Sequence, residues 1–320
     1  MKKFFRYSAY MLAFLFTTAI SMELVLRLVF GFCNAPLYRS DKDYEYFPQP
    51  NQNRFRFFSH FKTNSYGMRS EEPDSTKTRV LGLGDSVIYG GTWMDQDSLA
   101  TTHFTSATGI QMLNISAGSW GPDNCAAYLR QHGTFGASAM LLVCSSHDAY
   151  DVMTFIPIVG VLNNYPEHQY TLALQELYER YFFPIVIGRI YSWLGIAPSE
   201  SQYVDPDVQV ERNADNRQVI QKGLTFNPGF DELKKIANSC HIPLIIYLHA
   251  EKGELADGSY NDMGETIIHW CDTASVKLIL GINSETADMY HDAIHFNTKG
   301  QRHLAETMKK ELCSTNSISR

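Results

Sequence analysis

Five short runs of apolar residues recur between residues 79 and 282, separated by more polar stretches. Each run has the length of a strand and little polar alternation, which favours strands buried on both faces of a sheet. The first run, RVLGLGDSV from Arg79, ends in a Gly-Asp-Ser turn that leads into a helix. The other four runs cover residues 110–116, 139–146, 242–250 and 276–282.

Helical patterns alternate with these strands. The helical stretches are residues 123–131, 230–239, 261–273 and 298–312. Apolar strands that alternate with helices are typical of a parallel sheet covered on both faces. The fold class predicted is therefore α/β, a three-layer α/β/α sandwich on a parallel sheet.

Residues 152–225 interrupt this alternation. The stretch 172–194 is helical in pattern and rich in aromatic residues, whereas 198–217 is polar and is predicted to be a loop. We expect an insertion beside the mouth of the functional site, most simply a structural lid without chemistry of its own. No internal repeat or low-complexity tract accompanies it.

The N-terminus has the pattern of a membrane segment. Basic residues precede a charge-free run of 16 residues, 7–22, and apolar residues continue to residue 32 past Glu23 and Arg27. A span needs about 20 residues, and Glu23 and Arg27 can pair at their i, i+4 spacing. A cleaved signal peptide and a buried amphipathic helix are the alternatives. Because no small-residue cleavage site is evident, we expect a retained anchor with the rest of the chain extracytoplasmic, periplasmic or at the cell surface.

The chain of 320 residues is thus divided into an anchor (1–32), a juxtamembrane segment of short strands or loops (33–77) and one α/β domain (78–320) that carries the insertion. The net charge of −7, without a basic cluster beyond the first six residues, argues against a nucleic-acid partner. The six cysteines form no C-x-x-C pair, so zinc and redox motifs have no support. Free thiols and one or two disulfides both remain open. We expect no metal and no cofactor.

Residues able to do chemistry follow the predicted strands. In open parallel sheets ligands bind at the carboxyl ends of the strands, where Ser86 follows the first strand in a tight turn. A serine hydroxyl needs a base. Asp292 and His295 are three positions apart just before the last predicted helix, and they can supply an imidazole and the carboxylate that orients it. His291 is more simply a surface residue.

These residues resemble the motifs of the SGNH/GDSL hydrolase family. GDSV at 84–87 is similar to the first block of the family, and DAIH at 292–295, followed by FNTKGQRHLAE, is similar to its last block. TNSYGMRS at 63–70 resembles the membrane-linked subset. The resemblance covers roughly residues 60–320 and is weakest across the insertion. It implies an SGNH/flavodoxin-like sandwich in which Ser86, Asp292 and His295 are the catalytic triad.

Two middle blocks depart from the family pattern. In NISAGSWGPDN, 114–124, the usual oxyanion-binding glycine position falls on Ser119, beside Gly118. In SSHD, 145–148, His147 stands where the family has an asparagine donor, and a neutral imidazole can still donate one hydrogen bond. The resemblance thus implies an oxyanion hole of Ser86, Gly118, Ser119 and His147. The alternative is that His147 only packs or caps the turn.

Other polar and aromatic residues near these blocks are more simply structural. Asp85 is expected to cap the helix after the first strand, and Asp148 to hold a turn. His249 could line the cleft but is more simply a satisfied histidine. The remaining candidates are Asn64 and Arg69, for contacts within the domain or with an anionic group, and Trp93 and Trp120, for core packing or sugar stacking.

The function predicted is a serine esterase or O-acyltransferase. The membrane-linked subset of the family implies ester, foremost O-acetyl, groups of extracytoplasmic polysaccharide as the substrate. The expected partners are the membrane and an acylated carbohydrate, and the oligomeric state is open. A non-catalytic glycan-binding or assembly protein on the same scaffold is the alternative, motivated by His147. A lipase is less attractive because 198–217 is polar and no apolar lid is evident.

Overall fold

A long helix and two β-hairpins precede the central sheet. The computed structural model describes residues 2–194 and 225–314, so the predicted loop 198–217 lies outside the described residues. The first elements are α1 (Lys2–Leu28), the antiparallel pair β1 (Tyr38–Asp41) and β2 (Glu45–Pro48), and the antiparallel pair β3 (Asn53–Arg56) and β4 (Ser59–Lys62).

Five parallel strands form the central sheet, as the apolar runs predict. They are β5 (Arg79–Gly84), β6 (Gln111–Ser116), β7 (Ala139–Cys144), β8 (Leu244–Leu248) and β9 (Lys277–Leu280). Their order is β6-β5-β7-β8-β9, and all neighbouring pairs are parallel. After β5 the chain adds β6 on one side of β5, and it then crosses back to add β7 on the other side. In a sheet of this flavodoxin-like order the reversal opens a crevice at the carboxyl ends of the two strands concerned, here β5 and β7.

Helices cover both faces of the sheet, which confirms the three-layer sandwich. The helices that follow the first strand of the sheet are α2 (Ser86–Tyr89), α3 (Ala100–Thr108), α4 (Pro122–His132), α5 (Ala173–Glu176), α6 (Phe183–Trp193), α7 (Gly229–Ser239), α8 (Lys252–Asp257), α9 (Asp262–Ala274) and α10 (Thr298–Ser314). Helices α4, α7 and α9 pack on one face, and α2, α3 and α10 on the other. Side chains of β5 alternate between the two cores, Leu81 and Leu83 in one and Val80 in the other, as strand geometry requires.

Two helices, α3 and α8, were not predicted. The nine residues of α3 read ATTHFTSAT, and threonine has a low helix propensity. Only Ala100, Thr101 and Phe104 of this helix are buried, so its apolar stripe is too narrow to be seen in the sequence. Tertiary packing against α10, not local preference, stabilises it.

The juxtamembrane segment 33–77 is built into the α/β domain. Phe47 of β2 stacks on Trp120 with ring centroids 4.7 Å apart, and both belong to the same buried core as Leu81 and Leu83 of the sheet. Trp120 is therefore a core residue, fully buried. The hairpin β1–β2 is thus an addition to one face of the sandwich.

The helix α1 stands outside both cores. Residues Lys3–Leu28 are long and apolar enough to cross a membrane, and none of their most apolar window is buried. This result excludes a buried amphipathic helix, and a signal sequence passes the same test of length and composition. The six cysteines all lie within the described residues and none of them forms a disulfide, which settles the alternative that the sequence left open.

Candidate active site

Ser86 begins helix α2 directly after β5. Gly84, the last residue of β5, has a φ of 149°, and a Cβ there would lie 2.2 Å from the carbonyl oxygen of Val143, so only glycine fits at this strand end. Asp85 caps the helix as expected, accepting a hydrogen bond of 2.8 Å from the N–H of Val87. Ser86 is partly exposed between buried neighbours, so its hydroxyl is reachable from the crevice.

Ser86, His295 and Asp292 lie in one chain of hydrogen bonds. His295 Nε2 is 3.0 Å from Ser86 Oγ, and His295 Nδ1 is 2.7 Å from Asp292 Oδ2. Because the carboxylate can only accept, Nδ1 carries a proton and leaves Nε2 to receive the Ser86 proton. The structure thus brings together, in the expected order, the three residues that the sequence pairs across the length of the domain.

The Asp292 carboxylate stays ionised. Partial burial would raise its pKa, but the hydrogen bonds from the His295 ring and from nearby N–H groups outweigh burial and hold the pKa well below its usual range. Its Oδ1 accepts from the N–H of His295 at 2.7 Å and from the N–H of Ile294 at 2.9 Å. The same carboxylate therefore shapes the loop and orients the imidazole.

A second, fully buried histidine braces the loop that carries His295. His249 Nε2 donates to the carbonyl oxygen of Ile294 at 2.6 Å, and Nδ1 donates to Glu285 Oε1 at 3.0 Å. Both ring nitrogens face acceptors, which only the protonated ring satisfies. Burial would lower the pKa of His249, but Glu285 outweighs it and raises the pKa. His249 therefore does not line the cleft, and the structural interpretation of this residue holds.

Glu285 was missed in the sequence. It accepts from the Tyr247 hydroxyl at 2.7 Å and from the Tyr290 hydroxyl at 2.5 Å, besides pairing with His249. The available signal was weak, because a lone glutamate in a polar stretch after the last strand reads as a surface residue. Its burial (4 % exposed) becomes visible only when β8 and the segment after β9 are placed side by side.

The predicted oxyanion donors include the backbone N–H groups of Ser86, Gly118 and Ser119. Within residues 2–194 and 225–314, none of these three N–H groups donates to a backbone carbonyl. The carbonyl of Gly118 accepts from the hydroxyls of Tyr46 at 2.6 Å and Tyr165 at 3.3 Å. Because the peptide bond is planar and trans, this anchoring directs the N–H of Ser119 to the opposite side. Ser119 has a φ of 55°, a left-handed conformation that glycine adopts more readily.

His147 lies in a cluster of buried carboxylates. Its Nδ1 is 3.2 Å from Glu251 Oε1, and its Nε2 is 3.8 Å from Asp85 Oδ2, beyond hydrogen-bond range. Burial would lower the pKa of His147, but Asp148, Glu251 and Asp85 outweigh burial and raise the pKa to about 10. The imidazole is therefore a cation at neutral pH, with both nitrogens as donors, which corrects the expectation of a neutral ring.

The same cluster has an arrangement that could hold a metal ion. One donor atom each from Asp85, His147 and Asp148 lies within 4.8 Å of the others, although the sequence indicated no metal site. Asp85 Oδ2 and Asp148 Oδ1 are buried and have no hydrogen-bond partner within the described residues. Burial raises the pKa of Asp148 well above its usual value, and the charge of the neighbouring His147 acts in the opposite direction. Asp148 also holds the turn as expected, accepting from the Ser145 N–H at 2.7 Å.

Arg69 and Asn64 have structural positions, not substrate-binding ones. Arg69, 1 % exposed, donates to the carbonyl oxygens of Tyr89 at 2.9 Å and of Gly91 at 2.6 Å, and so fixes the chain that leaves α2. Asn64 Oδ1 accepts from the N–H of Tyr66 at 2.9 Å and shapes a turn.

Trp93 differs from Trp120 in being open to solvent. It is 37 % exposed, and its ring stacks on the ring of His291 with centroids 4.2 Å apart. His291 is exposed, as expected. His291 directly precedes Asp292 in the chain, so the stacked pair adjoins the segment 292–295.

Comparison with solved structures gives distant matches, whereas no family model and no curated protein matches the chain. A member of the lipolytic protein G-D-S-L family from Veillonella parvula is 11 % identical, over 74 % of this chain and 100 % of that chain, with a TM-score of 0.41. Est24, a carbohydrate acetylesterase from Sinorhizobium meliloti, is 10 % identical, over 74 % and 99 %, with a TM-score of 0.42. The M. smegmatis aryl esterase is 10 % identical, over 74 % and 99 %, with a TM-score of 0.39.

Proposed function

We propose that the chain is a serine ester hydrolase or acyltransferase. In this proposal Ser86 is the nucleophile, His295 the general base and Asp292 the carboxylate that orients it. The observation that carries the proposal is the chain of hydrogen bonds from Asp292 through His295 to Ser86, at 2.7 Å and 3.0 Å. It ends on a serine that is open to the crevice between β5 and β7, where sheets of this order bind ligands.

The reaction begins when Ser86 Oγ attacks the ester carbonyl carbon. Its proton passes to His295 Nε2, a carbon–oxygen bond forms, and the carbonyl electron pair moves onto oxygen. Collapse of this intermediate breaks the bond to the alkoxide, which takes the proton from His295. Water then attacks the acyl-enzyme by the same route in a hydrolase, and a sugar hydroxyl does so in a transferase.

The developing oxyanion is bound by N–H groups and by a cationic side chain. The N–H of Ser86 at the start of α2 and the N–H groups of Gly118 and Ser119 act as donors, preorganised because the Gly118 carbonyl is tied to two tyrosines. His147 supplies a further donor through Nε2. Because the His147 ring is protonated, this bond is charge-assisted. A bond from the neutral asparagine of the family pattern would not be.

The substrate that we infer is an O-acyl ester, foremost O-acetyl, on extracytoplasmic polysaccharide. Two features support this class. The basic N-terminus of α1 favours a cytoplasmic start and an outward-facing domain. The partly exposed Trp93, stacked on His291, offers an aromatic face beside the triad on which a sugar ring can lie.

Turnover of the full-length protein in detergent tests the proposal. We expect acetate release from p-nitrophenyl acetate and from an O-acetylated glycan, or transfer of acetyl to a sugar acceptor detected by mass spectrometry. The Ser86→Ala variant should lose roughly 10⁴-fold or more in kcat. Equal turnover by wild type and by Ser86→Ala would overturn the proposal. Glycan binding without any turnover, unchanged in Ser86→Ala, would favour the glycan-binding alternative.

A further inference from the structure

A dense row of apolar side chains is exposed on the helical part of the insertion. Helix α5, a π-helical stretch (Leu177–Phe182) and α6 follow one another without a break, and residues 173–193 are called the insertion helix below. Trp193 is 85 % exposed, and Phe182 and Ile185 are 58 % exposed each. Between residues 181 and 194 the single charged residue is Arg189. An exposed apolar surface of this density marks an interaction site.

The insertion helix starts at the distal end of α1. Glu23 of α1 accepts hydrogen bonds from the N–H groups of Ala173 at 2.8 Å and Leu174 at 2.9 Å, so it caps the insertion helix. Arg27 pairs with Glu23 at 2.6 Å and donates to the carbonyl of Thr171. The two charges near the end of the apolar span therefore fix the insertion helix at the level where α1 ends.

A buried carboxylate strengthens this junction. Glu176 is fully buried and pairs with Arg56 of β3 at 2.7 Å and with Arg180 at 2.8 Å. It also accepts from the N–H of Cys33 at 2.6 Å. The chain that leaves α1, the hairpin β3–β4 and the insertion helix are thus all held to one side chain, so they share one position relative to the end of α1.

The tip of the hairpin β3–β4 is also apolar. Phe57 and Phe58 form its two-residue turn, with φ values of 46° and 65° and exposures of 44 % and 65 %. Turns with both residues in the left-handed region normally contain Asn or Gly, and bulky residues there are strained. The Phe58 ring meets Phe30, next to α1, with centroids 5.9 Å apart. A strained backbone that presents exposed aromatic side chains beside the end of α1 indicates a function for the tip.

We propose that the insertion helix and the Phe57–Phe58 tip enter the lipid interface beside the distal end of α1. The domain is then held against the bilayer at three points. Lipid is the occupant because this surface is continuous with the span that a membrane covers, and because Trp and Tyr are the residues enriched at membrane interfaces. The first half of the insertion helix is charged, so the helix lies in the interface and does not cross it.

Trp193 is a native reporter for this proposal, since α1 contains no tryptophan. The full-length chain is reconstituted in phosphatidylcholine vesicles, and its fluorescence is quenched by brominated lipids or by aqueous iodide. We expect brominated lipids to quench the wild type, and Trp193→Phe to remove most of that quenching. Trp270→Phe, which changes a tryptophan of α9, is the matched control and should leave the quenching in place.

Two outcomes would overturn the proposal. Quenching by brominated lipids that Trp193→Phe leaves unchanged would show that Trp193 does not reach the lipid. Protection of Trp193 from both quenchers would indicate that a second copy of the chain covers this surface. For the hairpin, Phe58→Trp in the Trp193→Phe background should restore quenching by brominated lipids, and quenching by iodide alone would remove the tip from the proposal. These readouts do not depend on ester hydrolysis.

Discussion

Ser119 and His147, which we propose as oxyanion donors, each have an unusual physical feature. Ser119 keeps its N–H available but holds a left-handed backbone at φ 55°, and its buried hydroxyl has no partner among the described residues. His147 brings a positive charge where a neutral donor would suffice, and buried carboxylates stabilise that charge. Each residue can therefore be changed with a defined physical consequence.

Replacing Ser119 with glycine should stabilise the protein and spare the reaction. Glycine adopts the left-handed backbone without strain, so we expect the free energy of unfolding to rise by about 1 kcal/mol. The N–H proposed to bind the oxyanion is kept, so kcat should stay within about threefold of wild type. Ser119→Ala is the control, because it also removes the hydroxyl but retains the strain. Equal stability of the two variants would contradict this explanation.

Replacing His147 with asparagine should change how stability depends on pH. The pKa of His147 is raised to about 10 in the folded protein, so its stabilising contribution is complete below about pH 6.5. That contribution is lost as the pH rises towards 10. We expect the melting temperature of the wild type to fall over this window more steeply than that of His147→Asn. Thermal unfolding at several pH values measures this, with the exposed His269→Asn as control. Parallel curves for wild type and His147→Asn would contradict it.

At the level of elements, the loop between β9 and α10 is the part that must be placed most accurately. His295 reaches Ser86 only because hydrogen bonds from several elements fix the position of this loop. The His249 ring holds the Ile294 carbonyl, and the N–H of Lys252 at the start of α8 donates to the Ala293 carbonyl at 2.8 Å. Gln301 of α10 donates to the Val87 carbonyl of α2 at 2.7 Å. This bond ties the helix that follows the His295 loop to the helix that begins at Ser86.

Replacing Glu285 with glutamine should lower kcat, because it loosens the loop that carries His295. Without the charge of Glu285, His249 loses the partner that keeps it protonated, and its hydrogen bond to the Ile294 carbonyl is weakened. A displacement of His295 of about 1 Å can cost about 10²-fold, so we expect kcat to fall roughly 10-fold or more with little change in KM. Tyr247→Phe, which removes one hydrogen bond from Glu285 but keeps the ion pair, should have a smaller effect. An unchanged kcat and pH profile in Glu285→Gln would show that the pair only supports folding.

At the scale of the whole molecule, the sheet and the approach of Ser86, Asp292 and His295 could be predicted from the sequence better than their surroundings. The strands were visible because both faces are buried, and the GDSV and DAIH motifs are local in sequence. The charge of His147 was not predictable, since Glu251 lies 104 positions away. Glu285 was missed for the same reason, and the contact of α1 with the insertion helix joins residues 150 positions apart. Such pairings depend on the tertiary fold and have no local pattern.

Covalent labelling shows whether Ser86 is an activated nucleophile. The full-length protein in detergent is treated with a fluorophosphonate probe, and its mass is compared with that of Ser86→Ala after circular dichroism has shown that both are folded. We expect one added phosphonyl group on the wild type, located at Ser86, and none on Ser86→Ala. A folded wild type that stays unlabelled, or equal labelling of both proteins, would contradict an activated nucleophile at this position.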